Sequence, residues 1–372
     1  MGECIVQRRE FLQMSLGAAT GLALGNEAQT AVVPTLRELA GAKNLLAGSA
    51  FSFAQLARPE MAELLAQQCS IMVCENELKW GPTQPERDRY EFEHADAMVV
   101  FAEAHGQKVR GHNLCWHQSN PAWLETTITP GNAAALLRQH ILVVAGRYRG
   151  KIHSWDVVNE AIHLEDQNAG GLRNSVWLKN LGEGYIELAF RAAAEADPGA
   201  ILTYNDFGME HDAPDQERKR DAVLGLLRGL RARGAPVQAL GIQSHLTAHL
   251  DPPRFHELHG FLKELGKMGL RVFITEMDVD DRDLPADVAK RDRMVAGLYR
   301  DYLRTVLAHD HVRAVLTWGL ADRGTWLDAY HPRGDGQKKR PLPFDAELHA
   351  KPAFAAMCEA IAECPARSEE RV

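Results

Sequence analysis

Two stretches of the chain share one shape, an apolar run that stops at a glutamate. The first is Ile152-His-Ser-Trp-Asp-Val-Val-Asn-Glu160, the second Arg271-Val-Phe-Ile-Thr-Glu276-Met-Asp-Val279. Apolar, β-branched runs of this length read as buried strands. A single Glu at the end of one would ordinarily face water, because Glu is almost never buried without a partner. Two such strands change the reading. A pair of carboxylates on rigid supports can divide the work at a glycosidic bond, one protonating the departing oxygen, the other attacking or activating water.

Polar and aromatic strand endings recur along the chain: Glu75, Asn76 and Lys79; His112, Trp116 and His117; Tyr204, Asn205 and Asp206; Gln243 and His245; Asp278; Trp318 and Asp322. One such ending is noise, but a succession of them defines a site. Trp80, Trp116 and Trp318 fall at strand ends and Trp326 in the loop beyond, a concentration that matters when the chain has only 7 Trp. Flat apolar faces beside amides, imidazoles and carboxylates suit a sugar ring, whose faces are C–H and whose rim is hydroxyl. Trp80 is expected in the core instead. Asn159, beside Glu160, can hydrogen-bond a sugar 2-hydroxyl, and His245 can orient Glu276 and hold it ionised. A metal-dependent hydrolase is the competing chemistry. It wants a histidine pair ending the first strand, where this chain has Ala50-Phe51-Ser52, and His112 and His117 differ in strand parity, so no metal is expected.

The elements that carry these residues alternate regularly. Strands are expected at 45–51, 71–74, 108–117, 152–160, 200–206, 239–246, 271–279 and 314–319. Helical patterns fall at 59–68, 94–105, 131–149, 185–196, 215–233, 253–268, 288–308 and 351–361. Eight strand–helix units with near-continuously apolar strands predict a parallel sheet covered on both faces, closed into a single-domain (β/α)8 TIM barrel. An open doubly wound sheet is the alternative, but no glycine-rich phosphate loop follows the first strand.

Composition sets outer bounds. The 372 residues are 45% hydrophobic and 25% charged, ordinary globular values, and the net charge of -8 provides no basic patch for nucleic acid. Six cysteines without zinc-site spacing read as buried thiols, with Cys69–Cys74 and Cys358–Cys364 as the pairs that geometry could allow. At the N-terminus, Arg8-Arg9-Glu10-Phe11-Leu12 precedes a short, mildly apolar run and resembles a twin-arginine export signal. The run is too short to span a bilayer, so residues 1–31 are expected to direct export, to the periplasm or beyond, rather than to anchor the chain. Residues 32–365 then form the catalytic domain, and residues 366–372 a polar tail that needs no fold.

Seven segments in order are recognisable: Glu75-Asn-Glu-Leu-Lys-Trp80, Gly111-His-Asn-Leu-Cys-Trp-His117, Trp155-Asp-Val-Val-Asn-Glu160, Tyr204-Asn-Asp206, Gly241-Ile-Gln-Ser-His-Leu246, Ile274-Thr-Glu-Met-Asp278 and Thr317-Trp-Gly319. With them the chain resembles the family 10 glycoside hydrolases, retaining endo-β-1,4-xylanases, from about Leu46 to Phe354. The resemblance implies Glu160 as acid/base and Glu276 as nucleophile, about 5–5.5 Å apart as retention requires. It places Asn159, His112, Trp116, Lys79, Gln243, His245 and Trp318 around the sugar at the cleavage point, with Glu75, Asn76 and Trp326 on the next sugar. Tyr204 is counted with them as substrate-binding. The implied partners are xylan and xylooligosaccharides, bound by a monomer without cofactor, metal, nucleic acid or membrane anchor. Alternatives are a related barrel glycosidase acting on another β-1,4-glycan, or a sugar-binding barrel without catalysis. The chain departs from the family pattern at Glu77 and Leu78 (usually Ser and Met), at Phe207-Gly208 (often Tyr-Asn) and at Thr325 (commonly Ser).

Overall fold

Eight parallel strands form the inner ring of the computed structural model, which describes residues 34–251 and 253–368. They are β1 Leu46–Phe51, β2 Ile71–Cys74, β3 Lys108–Gly111, β4 Ser154–Asn159, β5 Ile201–Asp206, β6 Ala239–Ile242, β7 Arg271–Asp280 and β8 Val312–Thr317. Each pairs with the next, and β8 pairs with β1 (Leu46 opposite Ala314), so the sheet closes and leaves no edge. This is the expected (β/α)8 barrel.

Alternation along each strand sorts side chains into two layers. Ala50, Ile71, Val73, Ala239, Phe273, Ala314 and Leu316 fill the inside of the ring. Outward residues such as Met72, Leu202, Leu240 and Ile274 join the much larger core under the helices. The covering helices run Pro59–Gln68, Glu93–Ala104, Ala133–Arg147, Gly184–Ala196, Pro214–Ala232, His256–Lys267, Val288–Leu307 and Pro352–Glu363. A further helix, Leu36–Gly41, lies outside the predicted elements. It starts at a capping box in which Thr35 Oγ1 accepts from Glu38 N at 3.2 Å and Glu38 accepts from Thr35 N at 2.8 Å. Among the described residues, no helix is long and apolar enough to cross a membrane.

Four strands depart from the expected pattern toward the C-terminal rim. β3 ends at Gly111 and the chain continues irregularly through His112–His117. β6 breaks after Ile242, with Ser244 at φ 66°, and resumes as a three-residue strand, His245–Thr247, against the end of β7. Register irregularities interrupt β4 between Asp156 and Val158 and β7 between Ile274 and Met277.

The tail expectation fails at Arg367. Its side chain is buried and donates to the carbonyls of Val312 at 3.0 Å and Leu307 at 3.1 Å. Leu307 ends its helix and Val312 opens β8, so a polar residue folds back to donate where these two elements meet the connecting turn. The five described cysteines, Cys69, Cys74, Cys115, Cys358 and Cys364, are free and buried, and neither candidate pair is bonded. The export-signal expectation concerns residues 1–31, which lie outside the described residues.

Candidate active site

Both glutamates sit beside a strand irregularity. In β4 the bulge places Val157 and Val158 together in the outer core, so that Asp156 and Asn159 both turn inward. Glu160 follows at φ 56°, a left-handed turn that a non-glycine residue seldom adopts. In β7 the shifted register brings Thr275 and Glu276 to the mouth. Thr275 Oγ1 donates to Asn205 Oδ1 at 2.8 Å, and Asn205 Nδ2 donates to Glu276 Oε1 at 2.8 Å.

Amides join the two carboxylates. Asn205 Nδ2 also donates to Asn159 Oδ1 at 2.9 Å, and Asn159 Nδ2 donates to Glu160 Oε1 at 3.3 Å. Gln243 Nε2 reaches Glu160 Oε1 at 2.9 Å and Asn159 Oδ1 at 3.4 Å. Trp116 Nε1 holds the other oxygen of Glu160 at 2.9 Å. Gly241 makes room for this network, because a Cβ there would lie 2.1 Å from Asn205 Oδ1.

The two carboxylates differ in charge environment. Burial raises Glu160 above the ordinary carboxylate range, helped by the charges of Asp206 and Glu276 and opposed by the bonds from Gln243 and Trp116. Burial pushes Glu276 the same way, but His245 and His112 outweigh it and hold Glu276 below that range. His245 Nε2 lies 3.4 Å from Glu276, and His245 Nδ1 lies 2.9 Å from Asp278 Oδ1. Burial disfavours the imidazolium, yet these two carboxylates raise its pKa well above the usual value, so it is cationic at neutral pH. Asp278 Oδ2 meanwhile accepts from Trp326 Nε1 at 2.7 Å, so one carboxylate positions an imidazole and an indole together.

Most of the remaining expected residues gather around this pair. Lys79 Nζ donates to Asn76 Oδ1 at 3.0 Å and stands 5.4 Å from the Trp116 ring. Burial lowers its pKa against the pull of Glu276, Glu75 and Glu160, and burial likewise raises Glu75. His112 Nδ1 bonds Asp156 at 3.0 Å, and Asp156 in turn pairs with buried Arg110. The Trp318 ring stands edge-on to His112 at 5.4 Å. The site therefore has indole walls, polar corners and two carboxylates of unlike proton affinity. It suits cleavage of a bond beside a sugar ring.

Tyr204 is not brought to the site. Ile201 packs on the interior core and Asn205 reaches the mouth, so Leu202 and Tyr204 between them face the helices. Tyr204 is fully buried there, its hydroxyl donating to Asp206. Asn205 is the functional residue of that segment, and the alternation Ile-Leu-Thr-Tyr-Asn held the signal. Asp206 is also turned away from the mouth, taking Lys219 Nζ at 2.7 Å. Asp322 serves the frame, bonding Lys351 Nζ at 2.8 Å where the last helix starts. Trp80 stacks on His140 at 3.7 Å in the core, as expected.

The departures from the family pattern have local roles. Glu77 accepts from the backbone nitrogens of Phe53 at 2.7 Å and Asn76 at 3.1 Å, fixing the loop that bears Lys79. Leu78 is buried in the core, and Phe207 is 36% exposed beneath Lys219 Nζ, 4.0 Å from its ring.

Comparison with known proteins agrees with this geometry. The glycosyl hydrolase family 10 sequence model matches residues 35–360. Endo-1,4-beta-xylanase B of Paenibacillus barcinonensis is 37% identical over 311 residues, 78% of this chain and 89% of that protein. The crystal structure of native xylanase 10B from Thermotoga maritima superposes with a TM-score of 0.80 at 33% identity, covering 88% of this chain and 98% of that one. Xylanase 10B from Thermotoga petrophila RKU-1, solved in complex with xylobiose, gives 0.80 at 31% identity over 92% and 98% of the two chains. The chain belongs to glycosyl hydrolase family 10.

Proposed function

We propose that the protein is an endo-β-1,4-xylanase that cleaves internal xylosidic bonds with retention, Glu160 acting as acid/base and Glu276 as nucleophile. The observation that carries the assignment is the unlike surroundings of the two carboxylates. Glu160 meets the neutral donors Trp116 and Gln243 and burial raises its proton affinity, while Glu276 meets His245 and Asn205, which favour its ionised form. In the first step Glu276 attacks the anomeric carbon while Glu160 gives its proton to the departing oxygen. In the second, water attacks the same carbon, Glu160 takes the water's proton, and the bond to Glu276 breaks. Asn159 fits the sugar 2-hydroxyl, because its Oδ1 is already engaged by Asn205 and Gln243 while its Nδ2 bears a second N–H. The substrate class is supported by the xylanase names of the relatives and by the indole-lined mouth.

Comparing reducing-end release from xylan and from soluble cellulose tests the substrate. Xylan is expected to be hydrolysed faster, and a preference for cellulose would move the assignment to another β-1,4-glycan.

Acid–base roles of this kind predict a bell-shaped profile of kcat/KM against pH. Activity falls on the acid side as Glu276 gains a proton, below the ordinary carboxylate range. It falls on the alkaline side as Glu160 loses one, above that range. A profile whose two limbs both lie at ordinary carboxylate pH contradicts the pairing.

A further inference from the structure

Behind the Glu160 carboxylate lies a small cavity lined by Cys115, His117, Glu160, Arg173, Ser175 and Tyr185, among others. The space open to a water centre is about 10 Å³, room for roughly one molecule. Two residues lining it carry buried polar atoms that have no hydrogen-bond partner in the protein, His117 Nδ1 and Arg173 Nη2. Buried polar atoms in native proteins are seldom left unsatisfied, and ordered water is the usual remedy. A third polar atom, Glu160 Oε2, stands 3.8 Å from His117 Nδ1, beyond direct hydrogen-bond reach.

The cavity is fixed in place from both sides. Arg173 Nε donates to the backbone oxygen of Glu160 at 2.7 Å, which ties the guanidinium to the residue that bears the left-handed turn. Trp177 Nε1 donates to the backbone oxygen of Trp116 at 2.9 Å and holds the opposite wall. Burial, with the charges of Arg173 and His163, pushes His117 down to about 4, so its ring is neutral at working pH and one nitrogen can accept.

We infer that this cavity is a built site for one ordered water, held by His117 and Arg173 and bonded to Glu160 Oε2. His117 and Arg173 are then positioning residues for the acid/base, an inference that rests on the reading of Glu160 given above. Such a water accepts from Arg173 Nη2 and donates to His117 Nδ1 and to Glu160 Oε2, three bonds of which two satisfy otherwise unmatched atoms. It stabilises the ionised acid after proton transfer and orients the oxygen that Trp116 also holds. Other charged or titratable groups acting on Glu160 are Lys79 beyond β2, Asp206 on β5 and Glu276 on β7, and those acting on His117 are His163 and Asp166 after β4.

A crystal structure of the wild-type protein, at a resolution that shows solvent, tests the site directly. A density peak within hydrogen-bond distance of both His117 Nδ1 and Arg173 Nη2 is expected, and a cavity without one overturns the inference. The variants His117→Phe, which fills the cavity, and Arg173→Lys, which cannot reach both partners, test the role. Both should move the alkaline limb of kcat/KM to higher pH, since a donor that favoured the ionised acid is gone. On xylooligosaccharides kcat/KM should fall about tenfold, a fraction of what general acid catalysis contributes, while an aryl xyloside whose leaving group needs no proton stays within about twofold. An unchanged alkaline limb, or equal losses on both substrates, reduces the pair to a structural role and contradicts the inference. If instead Glu160→Ala fails to separate the two substrates, the fault lies with the acid/base assignment itself.

Discussion

Glu276→Gln is expected to lower kcat on xylooligosaccharides by on the order of 10⁵-fold, the loss seen when a covalent nucleophile is removed from an otherwise intact site. Gln keeps the shape and can still accept from Asn205, so the wall of the site is retained. What it cannot do is attack carbon, nor can it balance the imidazolium of His245, which keeps only Asp278 as its anionic partner. Substrate binding should survive, because the indoles and the amides of Asn159 and Gln243 remain. The check is single-turnover hydrolysis by a preparation whose unfolding temperature matches wild type. Activity within tenfold of wild type would falsify the nucleophile assignment.

For Glu160→Ala the expected loss depends on the leaving group. On xylooligosaccharides, whose departing alkoxide needs a proton, kcat/KM should drop by about 10²–10⁴-fold, the usual contribution of general acid catalysis. A dinitrophenyl glycoside needs no such help, so glycosylation of Glu276 should proceed near the wild-type rate. The second step then lacks its base, the intermediate accumulates, and KM falls with kcat. Azide, small enough for the space left by the side chain and active without proton removal, should restore turnover and give a β-glycosyl azide. Equal losses on both substrates, without azide rescue, would assign Glu160 to support rather than to proton transfer.

The barrel was legible because its strands are apolar on both faces and its helices begin where Pro or Asp places them. The site was legible as strand endings, since Glu160 and Glu276 stand where apolar runs stop. What the sequence hid is which way each side chain points. Tyr204 reads as a binding residue by its type, yet alternation from Ile201 turns it to the helices and brings Asn205 inward. That much was recoverable by counting. The bulge at Val157–Val158 and the break at Ser244 were not, because they reset alternation through backbone torsions that apolar spacing does not encode. Arg367 escaped for another reason. Its partners are backbone carbonyls at Leu307 and Val312, and no pattern in the side chains announces a carbonyl that takes a distant donor.

Retention is the central claim, since it requires Glu276 to bond the sugar and Glu160 to act twice. Proton NMR of the first product released from a xylooligosaccharide, recorded before mutarotation, measures it. The two-carboxylate double displacement predicts the β anomer. The α anomer would mean a single displacement by water, with Glu276 as a base and no covalent intermediate.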